Sequence, residues 1–128
     1  MVYKVLVVDD EEPVRDMFSD LLEKEKCLVR CASSGEESLE ILKQEDFDVA
    51  LLDIQLSGIS GLETLKRIKE VKPHLTVIMI TGFGYDENLV TQSKKLGCDG
   101  YIGKNMPISQ IINNFRLFTR VAQEKKIK

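Results

Sequence analysis

No apolar stretch in this chain approaches the roughly 20 residues that a membrane-spanning helix needs. No leader pattern opens it either, because the first apolar run reaches acids by residue 9. Cysteine is scarce: Cys27, Cys31 and Cys98 are too few and too scattered for a disulfide framework. Cys27 and Cys31 fall in or beside one expected strand, where residues four apart are separated by about 13 Å, beyond the span of a bridge. Reduced thiols predict a cytoplasmic setting. A basic excess is also missing, since the net charge of -3 gives no general attraction to nucleic acid. Internal repeats and low-complexity segments are absent. The one histidine, His74, sits beside Pro73 in an expected loop and reads as structural.

What is present is a globular composition, 43% hydrophobic and 30% charged over 128 residues, enough for one domain with a real core. Its most informative feature is the pair of apolar runs that end on acids. Tyr3 to Val8 is followed by Asp9 and Asp10, and Val49 to Leu52 by Asp53. Continuous apolar runs of this length read as strands buried on both faces, as in a parallel sheet.

Strand and helix patterns alternate to the end of the chain, which predicts a doubly wound α/β domain. After Asp10, Pro13 suits a first helical turn, and Val14, Met17, Phe18, Leu21 and Leu22 share one helix face. Cys27 to Ala32 is mixed, with Arg30 inside it, and reads as an edge strand. Ser34 with Glu37 and Ser60 with Glu63 are capping boxes opening two more helices. The first of these turns Leu39 and Leu42 inward, and the second Leu62, Leu65 and Ile68. Asp48 to Leu52 and Thr76 to Ile80 are central strands, the latter ending at Thr81. Gly82-Phe83-Gly84 reads as a mobile loop. A helix carrying Leu89, Val90 and Leu96 stops at Gly97, and Asp99 to Gly103 is a short last strand ending at Lys104. The final helix presents Ile108, Ile111, Ile112, Phe115, Phe118 and Ala122. The domain is expected over residues 1–123, with 124–128 a charged tail or the start of a linker.

The flavodoxin-like strand order 2-1-3-4-5, flanked by five helices, would place the first and third strands side by side at the switch point. Asp9, Asp10 and Asp53 then converge, with Thr81 and Lys104 ending the next two strands. Three clustered carboxylates repel unless a cation sits among them. Hard oxygen ligands with open positions suit Mg²⁺. A carboxylate ionised at neutral pH can act as a nucleophile toward phosphorus, while a lysine and a hydroxyl stabilise phosphoryl oxygens. The bland reading is three solvated loop acids, with Asp10 a helix cap.

Four segments carry a resemblance: Val7 to Pro13, Leu51 to Gly61, Ile80 to Gly82 and Gly97 to Lys104. In that order and spacing, the chain closely resembles the receiver domain of two-component response regulators. The resemblance implies that Asp53 is the phosphoacceptor and that a sensor histidine kinase or phosphotransfer protein is the donor. It implies Mg²⁺ held by Asp10 and Asp53, by Asp9 through water, and by the backbone carbonyl of Gln55. Thr81 and Lys104 would contact the phosphoryl group, and Tyr101 would be a switch aromatic. The face of the fourth helix, last strand and last helix would signal to an effector protein or a fused output domain, or through a phosphorylation-dependent dimer. Such a domain catalyses only its own phosphorylation and dephosphorylation, and binds neither nucleic acid nor membrane directly. The rival readings are a pseudo-receiver that signals without phosphate and an aspartyl-phosphate phosphatase.

Three positions depart from the family pattern. Ser57 and Asn105 stand where prolines are usual, the latter commonly on a cis bond, and Gly82 replaces an alanine. Without proline a cis bond costs about 2.5–4 kcal/mol, so Lys104-Asn105 is expected to be trans, with Lys104 still reaching Asp53.

Overall fold

Alternating side chains of three central strands, two buried throughout and one buried beyond its first residue, build two cores, one on each side of a single sheet. The computed structural model describes residues 2–82 and 86–127, with side chains through Arg120. The elements run β1 (Lys4–Val8), α1 (Glu12–Lys24), β2 (Leu28–Ala32), α2 (Gly35–Gln44), β3 (Val49–Asp53), α3 (Gly61–Val71), β4 (Thr76–Thr81), α4 (Glu87–Lys95), β5 (Gly100–Gly103) and α5 (Ile108–Ile127). All strand pairs are parallel, in the order β2-β1-β3-β4-β5. This is the expected flavodoxin-like arrangement, with β2 at an edge.

Val5, Val7, Val49, Leu51, Ile78 and Ile80 point to one face and meet Phe18 and Leu22 of α1 and Ile111 and Phe115 of α5. Their neighbours Leu6, Val8, Ala50, Leu52, Val77 and Met79 point the other way, onto Ile41 and Leu42 of α2 and Leu65 and Ile68 of α3. The period of two along each strand thus divides the helices into two layers. Burial of both faces is why these strands read as unbroken apolar runs.

Helix starts follow local chemistry. Ser34 Oγ accepts from the Glu37 N–H and Ser60 Oγ from the Glu63 N–H. The first box is shifted, because the Glu37 carboxylate accepts from the N–H of Ser33, at 2.7 Å. Gly97, at φ +97°, follows the C-cap of α4, where a side chain would be strained.

Three details add to the expectations. Ile108 is 58% exposed, because it opens α5 before the helix meets the sheet, and the inward stripe starts at Ile111. Asp53 is the last residue of β3, not the first residue after it. The backbone stays helical through Ile127, so α5 runs into the charged end of the chain. Phe83, Gly84 and the side chain of Ala122 lie outside the described residues. No helix among the described residues is long and apolar enough to cross a membrane.

Candidate functional site: an acidic pocket at the strand ends

The carboxyl ends of β1 and β3 deliver the acids. Asp9 follows β1, where its N–H donates to Ala32 O at 3.1 Å and its carbonyl accepts from Arg15 Nη1 at 2.8 Å. This fixes the backbone and leaves the side chain fully buried. Asp9 Oδ1 accepts from the Glu11 N–H at 2.9 Å. That is the N-cap residue of α1, whose own side chain makes no capping bond. Asp10 therefore does not cap the helix. It is exposed, and its Oδ2 accepts from the Ser57 N–H at 3.2 Å. A proline at residue 57 could not make that bond.

Asp53 is 2% exposed. Its Oδ1 accepts from the Gln55 N–H at 3.1 Å, and its Oδ2 accepts from Lys104 Nζ at 3.1 Å. The same ammonium lies 2.7 Å from Asp9 Oδ2 and 3.7 Å from Glu11 Oε1. One carboxylate oxygen from each of Asp9, Asp10 and Asp53 falls within 4.8 Å of the others. Glu11, Asp53, Gln55, Gly82 and Lys104 line a cavity of about 290 Å³ beside them. The Lys104-Asn105 bond is trans, since no peptide among the described residues is cis, and Lys104 reaches Asp53 as expected.

The electrostatics follow from this packing. Burial pushes the Asp53 carboxyl up to about 6, the Gln55 N–H draws it down, nearby Asp9 raises it, and Lys104 lowers it. Burial alone would lower Lys104, but its bonds to Asp9 and Asp53 outweigh that and hold it above its ordinary value. Asp53 can thus be ionised at neutral pH, and a further cation would strengthen that state. The three oxygens are hard and close together, and Asp53 lines the cavity while Asp10 is exposed to solvent. This donor set fits Mg²⁺, which takes a few carboxylates and keeps waters.

Thr81 is 2% exposed at the end of β4. It does not line the acidic cavity but the neighbouring groove of about 450 Å³, together with Val90, Tyr101, Asn105 and Met106. Burial raises the Tyr101 phenol above its ordinary value, and the Thr81 hydroxyl beside it acts in the opposite sense. Asp9, Asp10, Asp53 and Lys104 are therefore brought together, Gln55 sits at the mouth, and Thr81 with Tyr101 occupies the adjoining groove.

Sequence reasoning missed Glu11 as a pocket wall, although it directly follows the acid pair. It also missed the Asn105 side chain, whose Nδ2 donates to Gly82 O at 3.1 Å. The unusual residue type after Lys104 was the only signal for that bond.

Residues 5–116 match the family model described as the response regulator receiver domain. The chain belongs to that family. It is 32% identical over 108 residues to sporulation initiation phosphotransferase F of Bacillus subtilis, covering 84% of this chain and 86% of that protein. A CheY-like receiver domain protein from Methanospirillum hungatei superposes with a TM-score of 0.89 at 29% identity, covering 98% of this chain and 99% of that one. NtrX from Brucella abortus superposes with a TM-score of 0.91 at 30% identity, over 98% of this chain but 29% of NtrX. This is a receiver domain of two-component signalling, with five parallel strands and five helices.

Proposed function

We propose that this receiver domain takes a phosphoryl group onto Asp53 from the phosphohistidine of a sensor kinase or phosphotransfer protein, with Mg²⁺. The observation that carries this reading is Asp53 itself: a nearly buried carboxylate at a strand end, beside two more acids, with one lysine ammonium on its Oδ2. An Asp53 oxygen forms the new O–P bond as the donor's N–P bond breaks, and the imidazole leaves with the electron pair. Asp10, Asp53 and the Gln55 carbonyl would hold Mg²⁺, with Asp9 supporting the site, and the ion would supply positive charge that favours phosphoryl transfer. Lys104 transfers part of its pairing from the acids to a phosphoryl oxygen, and Thr81 donates to another. The move of Thr81 away from Tyr101 alters the groove between α4, β5 and α5, the surface offered to an effector protein or output domain. The domain acts on itself alone, as a switch reset by hydrolysis.

Mass spectrometry after incubation with acetyl phosphate tests the reading. One added phosphoryl group is expected on wild type with Mg²⁺, and none in EDTA or on Asp53→Ala. An equal adduct on Asp53→Ala would overturn it.

A further inference from the structure

Two consecutive carbonyls at the end of β4 are held by two consecutive residues beyond β5. The Lys104 N–H donates to Thr81 O at 2.7 Å, and the Asn105 side-chain amide donates to Gly82 O at 3.1 Å. The first contact is made by the backbone. The second depends on the identity of residue 105, where the family's proline would offer no donor.

Thr81 and Gly82 sit on the divide between two cavities. Thr81 lines the groove that holds Tyr101 and Asn105, and Gly82 lines the acidic pocket that holds Asp53 and Lys104. Carrying the Thr81 hydroxyl from the groove to a group on Asp53 shifts the 81–82 backbone relative to β5. The Asn105 amide opposes that shift, because it pulls the Gly82 carbonyl from the groove side. We propose that Asn105 is a positioning residue that latches the Gly82 carbonyl and weights the domain toward its unphosphorylated arrangement. This rests on the reading of Asp53 as phosphoacceptor.

A neutral amide-to-carbonyl bond of this kind changes an equilibrium by about two- to tenfold. The test titrates beryllium fluoride, a phosphoryl mimic, into the full chain with saturating Mg²⁺, for wild type, Asn105→Ala and Asn105→Leu. Both substitutions remove the donor at an exposed position. Both variants are expected to bind the mimic two- to tenfold more tightly, with unchanged affinity for Mg²⁺ alone. General structural damage would weaken binding instead. Without the mimic, exchange of the Lys104 amide hydrogen is expected to be faster in both variants. Equal or weaker binding of the mimic by both variants, with wild type binding normally, overturns the latch. If wild type binds none, the phosphoacceptor reading fails. The exchange measurement then decides the latch alone, and unchanged Lys104 exchange overturns it.

Discussion

The ammonium of Lys104 lies 2.7 Å from Asp9 Oδ2, closer than to the Asp53 carboxylate at 3.1 Å. Asp9 is fully buried, so its charge needs a partner inside the protein. Lys104 serves both acids at once. A divalent ion among the acids would take over part of that neutralisation and leave Lys104 freer to meet an incoming phosphoryl group.

Lys104→Met should therefore destabilise the metal-free protein by about 1–3 kcal/mol, because two buried carboxylates lose their shared cation. Saturating Mg²⁺ should recover a large part of the loss. Urea unfolding of both proteins, with and without Mg²⁺, measures this. Equal metal-free stabilities would show that the acids do not depend on Lys104.

Asp53 gives the metal-free domain a pH dependence of definite sign. Its carboxyl is raised from 3.8 to about 6 on folding, mainly by burial. The folded state therefore binds the proton more tightly than the unfolded chain. The stabilisation is full below about pH 4 and is lost as pH rises through about 6, up to about 3 kcal/mol in all. Asp53→Asn should flatten that part of the stability profile, and a slope unchanged by the substitution would contradict the assignment.

The strand order was legible in the chain because burial on both faces leaves unbroken apolar runs at β1, β3 and β4, and acids follow two of them. The acids and Lys104 were legible for the same reason, since each lies at or just beyond a strand's carboxyl end, whereas Gln55 came only from the family resemblance. The exposure of Ile108 was not legible, because helical spacing does not reveal where a helix first touches the sheet. The side-chain bond from Asn105 to Gly82 was not legible, since it joins two loops whose approach is set only by the parallel pairing of β4 and β5.

Asp10 and Ser57 form a separable pair. The exposed Asp10 carboxylate accepts only the Ser57 N–H among the hydrogen bonds described for its side chain. Asp10→Ala should shift metal-free stability by less than about 1 kcal/mol yet weaken Mg²⁺ binding at least tenfold. Ser57→Pro removes the N–H and should weaken Mg²⁺ binding only a few-fold, by leaving Asp10 less well oriented. Calorimetric titration with Mg²⁺ checks both, and a larger loss in Ser57→Pro than in Asp10→Ala would reverse the assignment.

The last expectation concerns two glycines, Gly61 packed against the end of β3 and Gly82 lining the pocket. A Cβ on Gly61 would stand 2.2 Å from Asp53 O and 2.6 Å from the Ile54 Cα, both backbone atoms that cannot swing aside. Gly61 opens α3, and its N–H donates to Ile54 O at 3.0 Å, so the helix start is pressed against the end of β3. Gly61→Ala must push that start away, at a cost of about 1–3 kcal/mol, and it moves the backbone that aims Asp53. Among the described residues, a Cβ on Gly82 would meet only Lys104 Cδ, at 3.7 Å, an ordinary contact. Gly82→Ala should therefore change stability by less than about 0.5 kcal/mol. Urea unfolding and acetyl phosphate labelling of both variants form the test. Gly61→Ala should lose both stability and labelling, while Gly82→Ala keeps its stability and takes up label. Normal labelling of Gly61→Ala would mean that the seat of α3 does not set the position of Asp53.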